Sequence, residues 1–297
     1  MNHPLPAPRR ATLIGMGAIL MWSASVGLFR SIAELFGAAG GAALVFTTSA
    51  LLATLALGWP RLRAIPLPYL LLGGTLFVAY EVALALALGW AHDRPQALEL
   101  GMINYLWPSL TVLLAVLTRQ QRASRLLLPG LALCLTGIIW VMKGERAWSP
   151  AQLWHNLLQN PSAYLLAGAA ALLWACYSLV TRRWGSREPV IPLFLAVTAA
   201  LLWGHYLGSD EPPLPLHLPG LGQVLLLGGL TAAAYSCWNH GVLAGNLTQL
   251  AAFSYFTPVL SMALASLWLG VAPGGGFFAG VAMVTAGSLL CWWATRR

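Results

Sequence analysis

The chain has 297 residues, of which 59% are apolar and only 8% charged. A globular domain carries roughly a quarter charged residues, so this composition excludes a water-soluble fold and gives most of the surface to lipid. The net charge of +8 comes from basic residues scattered between apolar runs, which reads as membrane topology and argues against a nucleic-acid partner.

Crossing the hydrocarbon core takes about 20 apolar residues as a helix. Such runs are predicted at 11–30, 42–59, 67–90, 97–118, 126–142, 162–182, 189–206, 220–242, 248–269 and 275–294. They are long and continuously apolar, so helices are preferred to the shorter, alternating strands of a membrane barrel. Arg9 and Arg10 precede the first run, which is too long for a secretory leader and lacks its small-residue cleavage site. With the N-terminus inside, 12 of the 16 basic residues fall on the inner side, leaving Arg30, Arg94, Lys143 and Arg146 outside. Ten spans with both ends cytoplasmic in an inner (plasma) membrane therefore satisfy the positive-inside rule. Between spans five and six, Lys143 to Pro161 is the longest connection. Ser149-Pro150 is a helix-start signal there, and a short interfacial helix or a plain linker fits. Ser209 to Pro219 reads as a solvated outer loop. Cys134, Cys176, Cys237 and Cys291 each sit in an apolar run without a CxxC, so they read as small core residues, with no disulfide or metal site.

The two halves match. Trp22 of span one corresponds to Trp174 of span six at an offset of 152. Gly73-Gly74 and Tyr80 of span three correspond to Gly228-Gly229 and Tyr235 of span eight at 155. Tyr105 and Pro108 of span four correspond to Tyr255 and Pro258 of span nine at 150, as do Gly130 with Gly280 and Gly137 with Gly287 in spans five and ten. Five spans per half is odd, so the second half enters the membrane from the opposite face. The expected fold class is thus all-α integral membrane: ten transmembrane helices as two inverted five-helix repeats around a central cavity. Residues 1–145 form the first repeat, 146–161 the connection and 162–297 the second repeat. This architecture is associated with secondary transporters whose site lies near the bilayer midplane.

The paired tryptophans of spans one and six, the paired Tyr-x-x-Pro motifs of spans four and nine, and the five-plus-five layout resemble the drug/metabolite transporter superfamily, EamA type. Asn104-Tyr105-Leu106-Trp107-Pro108 is more closely similar to its YddG-like branch of aromatic amino acid exporters. The resemblance covers essentially the whole chain. It implies a central cavity and export of aromatic and other neutral amino acids from the bacterial cytoplasm.

The residues themselves nominate a solute site. Glu81 is read as the only acidic residue clearly within a span, where a carboxyl needs water or a partner. It either faces the cavity, binding an amino group or carrying a proton, or stays neutral and hydrogen-bonded inside the bundle. Tyr80 is its neighbour. Span eight is the most polar, with Tyr235, Trp238 and Asn239 on one face. His240 beside them is a further candidate, although a lone histidine in a span is more often a satisfied interhelical donor. Asn104, Trp107, Trp174 and Trp22 complete the expected substrate-binding set. Pro108 and Pro258 free the carbonyls of residues 104 and 254 and act as gate hinges or as ordinary kinks.

Substrate is therefore expected to be a small molecule, an amino acid or related metabolite, moved by alternating access with no cofactor and by a chain working as a monomer in the lipid bilayer. A drug or metabolite exporter on the same scaffold is the alternative. No GxxxxGK[ST] loop, HExxH, acid cluster or Ser/His pair is present, which argues against ATP drive and against an enzyme. No channel-type filter is visible either.

Overall fold

A computed structural model describes residues 8–119, 122, 124–143, 150–186, 188–215, 217–245, 250, 253–254 and 256–294, and all regular elements among them are helical. Seven helical stretches are long and apolar enough to cross a membrane, and three shorter apolar helices accompany them. The protein is thus a multi-pass membrane protein. Large aliphatic side chains face outward with no protein cover, Leu55 at 82% and Leu165 at 74% exposure among them. In lipid this exposure is neutral, whereas in water it would be a large apolar patch.

The first stretch breaks in two: α1 (Pro8–Ser23) and α2 (Ser25–Phe36) meet at Ala24. α3 (Ala38–Leu57) follows after Gly37, whose φ of 80° suits the glycine there. A π-turn over Tyr69–Gly73 leads into α4 (Gly74–Gly89). The fourth stretch is also broken, as α5 (Arg94–Asn104) and α6 (Trp107–Leu117). α7 (Leu127–Lys143) and α8 (Pro150–Gln159) come next. The second half contains α9 (Pro161–Trp184), α10 (Ile191–Leu207), α11 (Leu218–Ala244), α12 (Thr257–Leu269) and α13 (Gly275–Ala294).

Differences from the sequence reading have local causes. α8 forms where Ser149-Pro150 signals a start, and its Trp154 and Leu158 are exposed, as an interfacial helix requires. The first stretch runs on to Phe36, which brings Glu34 into a helix, and Glu99 lies in α5, within the expected fourth run itself; Glu81 is not the only acid in a span. Both extra acids are tied down. Glu34 accepts from Arg30 Nε at 3.0 Å and Arg94 Nη2 at 2.8 Å, and Glu99 accepts from the Tyr164 hydroxyl at 2.7 Å. The apolar-run criterion clips the end of α2, which carries the paired charge of Glu34. Tyr255, Arg187 and the 144–149 part of the connection lie outside the described residues.

Packing is by antiparallel pairs: α1 with α11, α3 with α10, α4 with α9, and α7 with α13. The α7–α13 pair is the tightest. A Cβ on Gly137 would lie 2.7 Å from the Gly280 carbonyl oxygen, and one on Gly130 would lie 3.0 Å from that of Gly287. Only glycine allows that backbone approach. Ser109 bridges to this seam, 3.1 Å from both Cys134 Sγ and Ser288 Oγ, so the cysteine serves as a buried packing and hydrogen-bonding group.

Loops at each end are held by polar contacts. At one end Arg94 also donates to the Leu269 carbonyl at 2.7 Å, Arg30 donates to that of Ala91, and Glu211 accepts from the Ala39 and Gly40 amides that open α3. At the other, Arg61 pairs with Glu188 at 2.7 Å, and the guanidinium holds that carboxyl below the usual carboxylate range. The pair is solvated and adds little to stability. Asn160 is different. It caps α9 and donates to the Trp90 carbonyl and to Gln96, both at 2.8 Å, while only 7% exposed. Asn160→Ala is expected to cost about 1–2 kcal/mol, the loss of a cap with a stranded carbonyl. A thermal midpoint in detergent unchanged from the parent would contradict this.

Candidate functional site

Helix breaks converge on one cavity. α1 stops at Ser23 and α2 resumes at Ser25, α5 gives way to α6 across Tyr105 and Leu106, and α12 starts at Thr257 with Pro258 in its first turn. Proline at the second position of α6, Pro108, has the same role as Pro258. Pro108 has no amide hydrogen to offer the carbonyl of Asn104, where α5 ends. Irregular backbone at membrane depth is tolerated where it borders protein or a cavity. Ser25, Tyr105 and Thr257, all beside a break, line this one.

The cavity holds about 590 Å³ of atom-free space including its mouth, and its wall comes from both halves of the chain. Of the sequence-nominated residues, Trp22, Tyr80, Glu81, Asn104, Trp107, Trp174 and Tyr235 line it together. Trp238 is one step removed: its ring lies 5.4 Å from that of Trp22. Asn239 and His240 are on the same helix, α11, but outside the lining, and the buried Nε2 of His240 has no hydrogen-bond partner. Pro108 and Pro258 are buried at the starts of α6 and α12.

Aromatic rings form most of the wall. Trp174 is the hub, with ring centroids 4.7 Å from Tyr80, 5.7 Å from Tyr235, 5.9 Å from Trp22 and 6.2 Å from Trp107. Edge-to-face and tilted contacts of this kind add about 0.5–1.5 kcal/mol per pair beyond burial. The rings arrive from α1, α4, α6, α9 and α11, so the cluster also fixes how those helices sit around the space.

Polar atoms are few and specific. Glu81 is only 3% exposed and accepts a hydrogen bond from the Tyr235 hydroxyl. Tyr80 and Tyr235, mates in the sequence repeat, flank it. Among the described residues no basic side chain forms an ion pair with Glu81. Asn104 is 5% exposed, and its Oδ1 has no hydrogen-bond partner; the indole N–H of Trp22 is likewise buried and unpartnered. Buried polar atoms without partners are costly in a finished core, so a space that admits water or solute is where they are expected. Below the cavity, the Tyr69 and Tyr177 hydroxyls lie 3.2 Å apart, and Thr181 donates to Tyr69 at 3.4 Å.

Sequence reasoning missed Ser25, Val26, Phe29, Leu84, Tyr105, Thr231 and Thr257 as lining residues. Ser25 and Thr257 carried a signal, as small polar residues next to a tryptophan and a proline motif. The apolar ones carried none, because an inward leucine and a lipid-facing leucine are the same residue until the helices are packed.

Residues 161–293 match the EamA-like transporter family. The chain is 45% identical to "Aromatic amino acid exporter YddG" of Salmonella typhimurium (strain 14028s / SGSC 2262), over 97% of this chain and 99% of that protein. It is 44% identical to the protein of the same description from Escherichia coli (strain K12), with the same coverage. A third of that description, from Ancylobacter novellus, is 30% identical over 97% of this chain and 98% of that one. A protein of known crystal structure superposes with a TM-score of 0.69 and 27% identity, covering 98% of this chain and all of that one.

Proposed function

The chain belongs to the EamA-like transporter family of the drug/metabolite transporter superfamily, and on that premise we propose that it exports aromatic and other neutral amino acids from the cytoplasm through the cavity around Glu81 and Trp174. It is a transporter and not an enzyme. The single observation that carries the substrate assignment is the lining itself: one carboxyl and one free amide oxygen set in a wall of tryptophan and tyrosine rings. An α-ammonium needs acceptors and an aromatic side chain needs flat apolar faces, and both are met in one space. The same description attached to three relatives of nearly full overlap supports this reading. The candidate substrate-binding residues are Trp22, Tyr80, Glu81, Asn104, Trp107, Trp174 and Tyr235. Trp238, Asn239 and His240 act from behind them, and Pro108 and Pro258 serve as hinges.

The mechanism is alternating access between two inverted five-helix repeats, residues 1–145 and 162–297, joined by 146–161. Packing supports this symmetry. Mates five spans apart convert the α1–α11 pair into the α9–α4 pair, and they map α3–α10 and α7–α13 onto themselves. Within α7–α13, Gly130 faces Gly287 while Gly137 faces Gly280, which is the exchange expected if each glycine's mate at an offset of 150 sits across a two-fold axis. Pro108 and Pro258, each in the first turn of its helix, are mates as well. The break at Ala24 has none, since α9 runs unbroken past the matching position. The first span is therefore the one that differs between the halves, and it carries Trp22 and Ser25 into the cavity.

The protein lies in the inner membrane with both ends cytoplasmic and works as a monomer. The end rich in arginine, with Arg61, Arg63, Arg182 and Arg183, faces the cytoplasm. A membrane-impermeant maleimide applied to intact cells should label Ser209→Cys and leave Ser186→Cys unlabelled, in a background lacking the native cysteines. The reverse pattern would overturn the orientation.

The function itself is tested by counterflow. Purified protein in liposomes preloaded with unlabelled phenylalanine should accumulate labelled phenylalanine transiently and saturably. Tryptophan should compete and glutamate should not. Accumulation no greater than in protein-free liposomes would reject the assignment.

A further inference from the structure

The charge balance of the cavity does not match a zwitterion. An amino acid brings one ammonium and one carboxylate. Among the 14 lining residues the only carboxyl is that of Glu81, and there is no arginine, lysine or histidine to receive a carboxylate. The unfilled acceptor Asn104 Oδ1 adds a second oxygen for a cation. On the donor side the buried, unpartnered group is the neutral indole N–H of Trp22. The tyrosine hydroxyl nearest Glu81, that of Tyr235, is already committed to it. The aromatic faces lean the same way, since a ring attracts a cation and repels an anion placed over its face.

From this we propose that the cavity also binds and carries aromatic primary amines, solutes that keep the ring and the ammonium but lack the carboxylate. This rests on the cavity being the solute site, as assigned above. The ammonium takes Glu81 and Asn104 Oδ1 as acceptors, and the ring lies among Trp22, Trp107 and Trp174. Without a carboxylate, the solute brings no anion to be desolvated beside Glu81. Solutes that keep the carboxylate and lose the ammonium present the wrong sign and are excluded.

Competition against phenylalanine counterflow separates the two ends of the solute. 2-Phenylethylamine should inhibit within about threefold of unlabelled phenylalanine, and 3-phenylpropionate should be weaker by about thirtyfold or more, the scale of losing a charge-assisted hydrogen bond. Labelled 2-phenylethylamine should enter protein-containing liposomes faster than protein-free ones, which removes its passive permeation from the measurement. Asn104→Leu should weaken the amine by about tenfold, the net value of one hydrogen bond to a charged group. Should phenylalanine exchange normally while the amine neither competes nor enters above the protein-free rate, the inference is wrong and the export function stands. Equal inhibition by amine and acid would also overturn it, because the site would then not read charge. Absence of phenylalanine exchange altogether removes both.

Discussion

Exchanging Glu81 for glutamine is expected to lower phenylalanine counterflow by about ten- to a hundredfold, because a hydrogen bond to a charged group contributes about 1.5–3 kcal/mol and each 1.4 kcal/mol is tenfold. Glutamine keeps the shape of Glu81 and still offers an oxygen to the Tyr235 hydroxyl, so the local packing of α4 against α11 survives. What it removes is the one carboxyl in the lining. The protein should therefore purify in normal amount with a thermal midpoint close to the parent. Tyr235→Phe is the companion variant. It leaves the acid in place and takes away its donor, so counterflow should fall less than in the glutamine variant. Exchange in Glu81→Gln within twofold of the parent would remove Glu81 from the mechanism.

The largest effect on stability should come from the α7–α13 seam. A Cβ at Gly137 meets the Gly280 carbonyl oxygen at 2.7 Å and the Val284 amide nitrogen at 2.8 Å, both backbone atoms that no rotamer change can move. Gly137→Leu must push the helices apart, which breaks the facing Gly130–Gly287 approach and strips Ser109 of its Cys134 and Ser288 contacts. The expected cost is about 3 kcal/mol, the upper end for overpacking. Its readout is a lower melting temperature in detergent or loss of the folded peak on size exclusion. Gly168→Ala is the control. Nothing lies within 4 Å of a Cβ placed there, and its stability should stay within about 0.5 kcal/mol of the parent. Equal behaviour of the two variants would mean that the close approach does not support the fold.

How far the sequence carried can be judged residue by residue. The seven tryptophan, tyrosine, asparagine and glutamate positions that meet in the cavity were all visible beforehand, because a polar or aromatic residue deep in an apolar run has few reasons to be there. Asn239 was visible for the same reason, yet it lies outside the lining. It shares a face of α11 with Tyr235 but sits one turn further along the helix, and nothing in the sequence marks where along that face the cavity ends. Glu34 was hidden for the opposite reason: hydropathy treats a charge as the end of a span, whereas Arg30 and Arg94 let this acid stay within a helix. Glu99 lay inside the expected fourth run and was passed over; the Tyr164 hydroxyl is its partner there.

Composition and hydropathy alone decided that this protein lives in lipid and is helical. That follows because a backbone without water must bond to itself, and because the apolar runs have the length of the hydrocarbon core. The internal offsets near 150 residues raised the expectation of two related halves, and the proline and tryptophan motifs decided where to look. Which side chains share a space was settled only by tertiary structure. Lipid and protein interior are equally apolar, so hydrophobicity no longer separates inside from outside in a membrane bundle. The rotation of each helix, the break at Ala24 and the glycine contacts between α7 and α13 come from shape complementarity between helices far apart in the chain.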